Sequence, residues 1–115
     1  MLKAKIFGFV QGVNYRAFVK KIADQKGIKG YVKNLSDGSV EVVADGIKDD
    51  LLELVDHLKK GPIFAKVSRV DYSFFDKNGN FMSFKIVRDS SYLIDQVKAY
   101  YRFFMNIVRK LRLSI

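Results

Sequence analysis

The sequence predicts an α+β sandwich, an antiparallel sheet carrying two helices on one face, reached through the order βαββαβ with one further short strand. Three observations carry that expectation. Residues 2–9 alternate in strand fashion and pass at once into apolar residues at helical spacing. An Asp-Gly pair joins two short β-rich runs. A second helical stripe then leads into two more β-rich segments.

Each element has its own signal. In residues 2–9, Lys3 and Lys5 fall on one side and Ala4 and Ile6 on the other, the mark of a strand with one wet face. From Asn14 to Lys26, Tyr15, Phe18, Val19, Ile22 and Ala23 recur on one helix face, and Gly27 stops the helix. Residues 29–35 and 39–44 read as strands around the turn residues Asp37-Gly38. Ile47, Leu51, Leu54, Val55 and Leu58 share the face of a second helix. Asp49 and Asp50 suit its positive N-terminal end, and Lys59, Lys60 and Gly61-Pro62 close it. In 67–75, Val70, Tyr72 and Phe74 alternate with Arg69, Asp71 and Ser73, and "DKNGN" offers a turn into a strand at 81–88. The order is the split βαβ, ferredoxin-like arrangement. That arrangement hosts many functions, so the site residues have to decide among them.

Composition narrows the classes. At 115 residues, 49% hydrophobic and 29% charged, the chain holds one globular domain's core. The absence of cysteine removes disulfides, thiolate metal sites and cysteine nucleophiles, and suits a reducing compartment. The start "MLKAKIFGFV" has charges at alternate positions where a signal peptide has an unbroken apolar block, and the expected location is the cytoplasm. The net charge of +9 favours anionic partners.

Chemistry gathers in two stretches. "GFVQGVNYR", residues 8–16, ends on Arg16 at the start of a helix, where a cation is unfavourable unless an anion sits there too. The backbone N–H groups of Val10, Gln11, Gly12, Val13, Asn14 and Tyr15 form a concave run suited to an anion, and the Arg16 guanidinium can hold two phosphate oxygens. In the plainer alternative, the glycines serve chain geometry and Arg16 is solvated. In "GYVKNLSDGSVE", residues 30–41, Asn34 shares strand parity with Val32 and faces the helices. An unpaired amide there costs roughly 1–3 kcal/mol, so a hydrogen-bond partner is expected.

These two stretches, with the 17 residues that separate Arg16 from Asn34, closely resemble the acylphosphatase family signature, in which G-x-V-Q-G-V-x-[FY]-R pairs with G-[YW]-V-x-N-x-x-D-G-x-V-E. The resemblance spans about residues 3–88 and includes "KKGP" and "FMSFKIVR". Tyr15 stands where the family usually has Phe. The resemblance implies hydrolysis of acyl phosphates to carboxylate and inorganic phosphate, with Arg16 binding the phosphoryl group and Asn34 orienting the attacking water. The carboxylate leaves without needing a proton, so positioning and charge stabilisation suffice. No cofactor is expected, and no carboxylate cluster in the motifs suits Mg²⁺.

Other features are thinner. His57 lies off the apolar stripe, and Lys20-Lys21 read as solvated helix surface. The alternative functions are a non-catalytic anion-binding module and an RNA-binding module. Against the latter, "SVEVVA" puts no aromatic or basic residue on the third strand, and no specific nucleic acid is expected. The domain division is 1–88 and 89–115. In the second part, Leu93, Val97, Tyr100, Tyr101, Phe104, Ile107, Val108 and Leu111 share one helical arc, with Lys98, Arg102, Arg109 and Arg112 on the other side. This C-terminal amphipathic helix is expected to dock on the open sheet face beside Phe7, Tyr31, Leu35, Val43 and Phe75. Self-association and contact with an anionic membrane surface are its alternatives.

Overall fold

The computed structural model describes residues 1–77, 79–88 and 109. The elements are β1 (Leu2–Phe9), α1 (Tyr15–Gln25), β2 (Lys29–Asn34), β3 (Val40–Asp45), α2 (Lys48–Lys60), β4 (Lys66–Phe74) and β5 (Phe84–Val87). One five-stranded sheet has the order β4-β1-β3-β2-β5. The helix expected at 90–112 lies outside the described residues, Arg109 apart.

The antiparallel expectation holds for the pairings of β1 with β3, β1 with β4 and β2 with β3. It fails for the last strand. β5 lies parallel to β2, with Val32 opposite Ile86, so the sheet is mixed. "DKNGN" accordingly does not close a hairpin. The chain instead crosses from one sheet edge to the other, along the end where β1 begins. The Phe75 amide donates to the Met1 carbonyl (2.8 Å), Gly79 N–H donates to Asp45 Oδ2 (3.1 Å), and Gly30 N–H donates to the Ser83 carbonyl (3.0 Å). Those backbone groups are satisfied along the crossing path, which a two-strand hairpin signal does not encode.

The predicted helix and sheet faces are the observed ones except at Ile47, which precedes α2 as its N-cap and stands 72% exposed instead of joining the buried stripe. Leu2, Ala4, Ile6, Val32, Val40, Val42, Ala44 and Phe84 bury against Val19, Ile22 and Ala23 of α1 and Leu51, Leu54, Val55 and Leu58 of α2. On the open face, Lys5 and Arg69 stand over the Phe7 ring, at 5.3 and 4.2 Å from its centroid. Lys5 also pairs with Asp37 at 2.9 Å.

α1 and β5 are tied directly, because Lys20 donates to the Phe84 carbonyl at 3.0 Å as well as to Asp24. The lysine expected to be solvated is therefore an anchor between helix and edge strand. The topology brings the end of β1, the start of α1 and the ends of β2 and β5 to one end of the sheet, opposite the crossing.

Candidate active site

The loop between β1 and α1 is bent by unusual backbone. Gly12 has φ +76°, and Asn14, just before α1, has φ +67°, a left-handed conformation that Asn tolerates better than most residues. Gly8 sits where the β1–β4 register slips, at φ +131°. A Cβ there would lie 2.1 Å from the Lys66 carbonyl oxygen, so no side chain fits. The bulge turns the strand end into the loop.

Two loop residues hold it in place. The Gln11 side-chain amide donates to the carbonyls of Leu35 and Ser39, each at 2.8 Å, fastening the loop to the β2–β3 hairpin. Val13 packs against the core. These residues shape the loop with their side chains, and any anion contact from them is through backbone N–H. The hairpin is braced in turn, since Asp37 accepts from both the backbone N–H and the hydroxyl of Ser39. The hydrogen bonds to Asp37 from Lys5 and then Ser39 hold its carboxyl well below the usual carboxylate range.

Tyr15 is buried to 1% exposure, and its hydroxyl donates to the Leu58 carbonyl at 2.7 Å. The helical partner of that carbonyl would be the N–H of residue 62, but residue 62 is proline and has none. The tyrosine hydroxyl thus supplies the donor missing from the last turn of α2. Burial pushes its pKa well above the usual phenol value.

A pocket of about 80 Å³ opens between these elements, lined by Val10, Gly12, Asn14, Tyr15, Arg16, Ala17, Asn34, Ile86 and Arg88. Arg16 and Asn34, separated by 17 residues in the chain, share it. Asn34 is 5% exposed, and among the described residues its Oδ1 has no hydrogen-bond partner. For Oδ1 this corrects the expectation that a core-facing Asn34 amide finds a partner in the fold. A buried carbonyl-type oxygen left open at a pocket is an acceptor held ready for a small donor molecule.

Ile86 and Arg88 were not legible as site residues, because only the parallel docking of β5 against β2 brings them there. His57 stays on the surface, its ring 6.4 Å from that of Phe18. Among the described residues no group of three or more His, Asp or Glu could hold a metal ion, and no helix is long and apolar enough to cross a membrane.

A ferredoxin-like sandwich whose first βα loop, helix-start arginine and buried asparagine converge on one small pocket defines a compact α+β protein with a single polar site at the end of its sheet among the described residues. The acylphosphatase family model matches residues 2–86. The chain is 46% identical over 78 residues to an acylphosphatase of Deinococcus radiodurans, covering 68% of this chain and 90% of that one. It is 47% identical over 78 residues to an acylphosphatase of Thermus thermophilus, covering 68% and 89%. The crystal structure of acylphosphatase from Bacillus subtilis superposes with a TM-score of 0.72 at 36% identity, over 76% of this chain and 100% of that one. The chain belongs to the acylphosphatase family.

Proposed function

We propose that this acylphosphatase hydrolyses acyl phosphates by in-line attack of a water held by Asn34 on a phosphoryl group cradled by the 10–15 amides and Arg16. The observation that carries the reading is the open, buried Asn34 Oδ1 in the same pocket as Arg16. A water donating one O–H to that oxygen has its position and lone-pair direction fixed, so Asn34 acts by positioning and not as a base. The loop amides and the Arg16 fork follow the phosphoryl oxygens as charge moves onto the departing carboxylate, which leaves without a proton. Phosphoryl charge is met by fixed N–H donors and guanidinium, so turnover is expected to be the same with and without EDTA.

Arg16→Ala and Asn34→Ala test the roles separately. With benzoyl phosphate as substrate, Arg16→Ala is expected to lose both turnover and inhibition by inorganic phosphate. Asn34→Ala is expected to lose turnover while keeping phosphate inhibition. Full activity in either variant would overturn the assignment.

We also propose residues 1–88 as the catalytic domain, acting in the cytoplasm, and residues 89–115 as a cover for the open sheet face, where Val43 is buried and Phe7 and Tyr31 are half-buried. Truncation after Arg88 should then lower stability or solubility and leave benzoyl phosphate turnover intact. Equal stability, with the full chain alone binding anionic vesicles, would refute the cover.

A further inference from the structure

We propose that Arg88 is a second phosphate-binding cation, set on the pocket wall made by β5 and acting together with Arg16. The inference rests on the reading of the pocket as the phosphoryl site. Three independent observations place Arg88 there.

The first is register. β5 runs parallel to β2 with Val32 opposite Ile86 and Lys33 opposite Val87. Continuing that register by one residue sets Arg88 beside Asn34, and side chains two apart on a strand share a face. Arg88 therefore shares the helix-side face with Ile86 and Asn34.

The second is the pocket itself, whose lining includes Ile86 and Arg88 from β5 and its end, facing Arg16 and Ala17 from α1. The third is charge. Among the described residues Arg88 makes no ion pair. A pocket of about 80 Å³ lined by one guanidinium residue from α1 and another from the end of β5 is suited to an anion between them. A dianionic phosphoryl group or inorganic phosphate matches that pair in charge, and each guanidinium can donate two hydrogen bonds to it.

Asn34 marks the attacking side of the phosphorus in this site. Arg88 beside it therefore reaches the phosphoryl oxygens, not the acyl group. It binds substrate phosphoryl and product phosphate alike, so its contribution is to binding more than to the chemical step. Arg88 is exposed, and the effect should be largest at low ionic strength.

The experiment compares Arg88→Ala, Arg88→Gln and Arg88→Lys with the parent chain at low salt. It measures kcat and KM for benzoyl phosphate, the inhibition constant of inorganic phosphate, and the rise in Tm that phosphate produces. For Ala and Gln, KM and the inhibition constant should both rise about tenfold or more, as expected for a lost charge-assisted hydrogen bond. In the same variants kcat stays within about threefold of the parent and the phosphate-induced rise in Tm shrinks. Lys should fall between the parent and Ala.

An inhibition constant and a phosphate-induced Tm rise within twofold of the parent would overturn the proposal, whatever happens to the phosphate-free Tm. A fall in kcat alone would overturn it too. Arg16→Ala, run alongside, separates the two readings. If Arg16→Ala still binds phosphate normally, the site assignment fails. If only the Arg88 variants do, the second cation fails and the site stands.

Discussion

Replacing Tyr15 by phenylalanine, the residue usual at that position in the family signature, removes a single oxygen and should be costly. The hydroxyl donates at 2.7 Å to the Leu58 carbonyl in a buried setting. Pro62 cannot supply the helical N–H, so no backbone donor stands in for it. A buried acceptor left unsatisfied costs about 1–3 kcal/mol, and about 2 kcal/mol is the expected loss for Tyr15→Phe at pH 7. For a domain of this size that is roughly 10 °C in Tm.

The pH dependence gives the prediction a second signature. Burial raises the Tyr15 pKa in the folded state, so its contribution is complete below the unfolded value and is lost as pH climbs past it. Above about pH 10 the parent loses about 1.4 kcal/mol per pH unit through Tyr15 alone, and the variant does not. The two stabilities should therefore meet near about pH 11.5, the other tyrosines cancelling in the comparison. Urea unfolding at intervals from pH 7 to 11.5 measures the gap. Equal stability at pH 7, or a gap that stays constant above pH 10, would refute the capping role.

Two glycines at the β1–α1 junction should respond unequally to alanine. A Cβ at Gly8 meets the Lys66 carbonyl oxygen at 2.1 Å, whereas one at Gly12 meets nothing within 4 Å. Gly12→Ala should cost only the left-handed strain, about 1–2 kcal/mol, and Gly8→Ala well beyond that, with unfolding midpoints as the measure and equal losses as the contrary result. Asp37, its carboxyl pKa depressed by the Lys5 and Ser39 hydrogen bonds, should stabilise the fold above about pH 4 and lose that contribution as pH falls below it. Because its side chain is half exposed, the loss should be about 1 kcal/mol or less, visible as a flatter acid limb in Asp37→Asn; identical acid limbs would count against it.

What the sequence made legible is what short-range physics encodes. Alternation in residues 2–9, the helical stripe from Tyr15 to Ala23 and the Asp37-Gly38 turn each act over a few residues, and the structure has each element within a residue or two of its expected place. The paired motifs likewise placed Arg16 and Asn34 in one pocket.

Long-range pairings were not legible. Nothing local in "FMSFKIVR" says that its strand crosses the sheet to lie parallel to β2, and so nothing marks Ile86 or Arg88 as pocket residues. The Gln11 bonds to the hairpin carbonyls and the match between Tyr15 and the proline-deprived Leu58 carbonyl are equally tertiary. The partner expected for Asn34 was inferred from a rule about cores. That rule gives way where a polar atom borders a pocket.

The place of β5 has a consequence for how the protein is made. The loop, α1 and Asn34 all leave the ribosome early, while the strand that closes their pocket is synthesised only at the end of the domain. A nascent chain stopped before Phe84 carries the loop, Arg16 and Asn34 but lacks a wall. Closing it demands an ordering of the chain across the full width of the sheet, the non-local kind of contact that slows folding. A ligand of that pocket meets its β5 wall only when the strand is docked, and would draw that last strand home by mass action. In this protein the pocket is thus completed late in biosynthesis, once translation has carried the chain through β5.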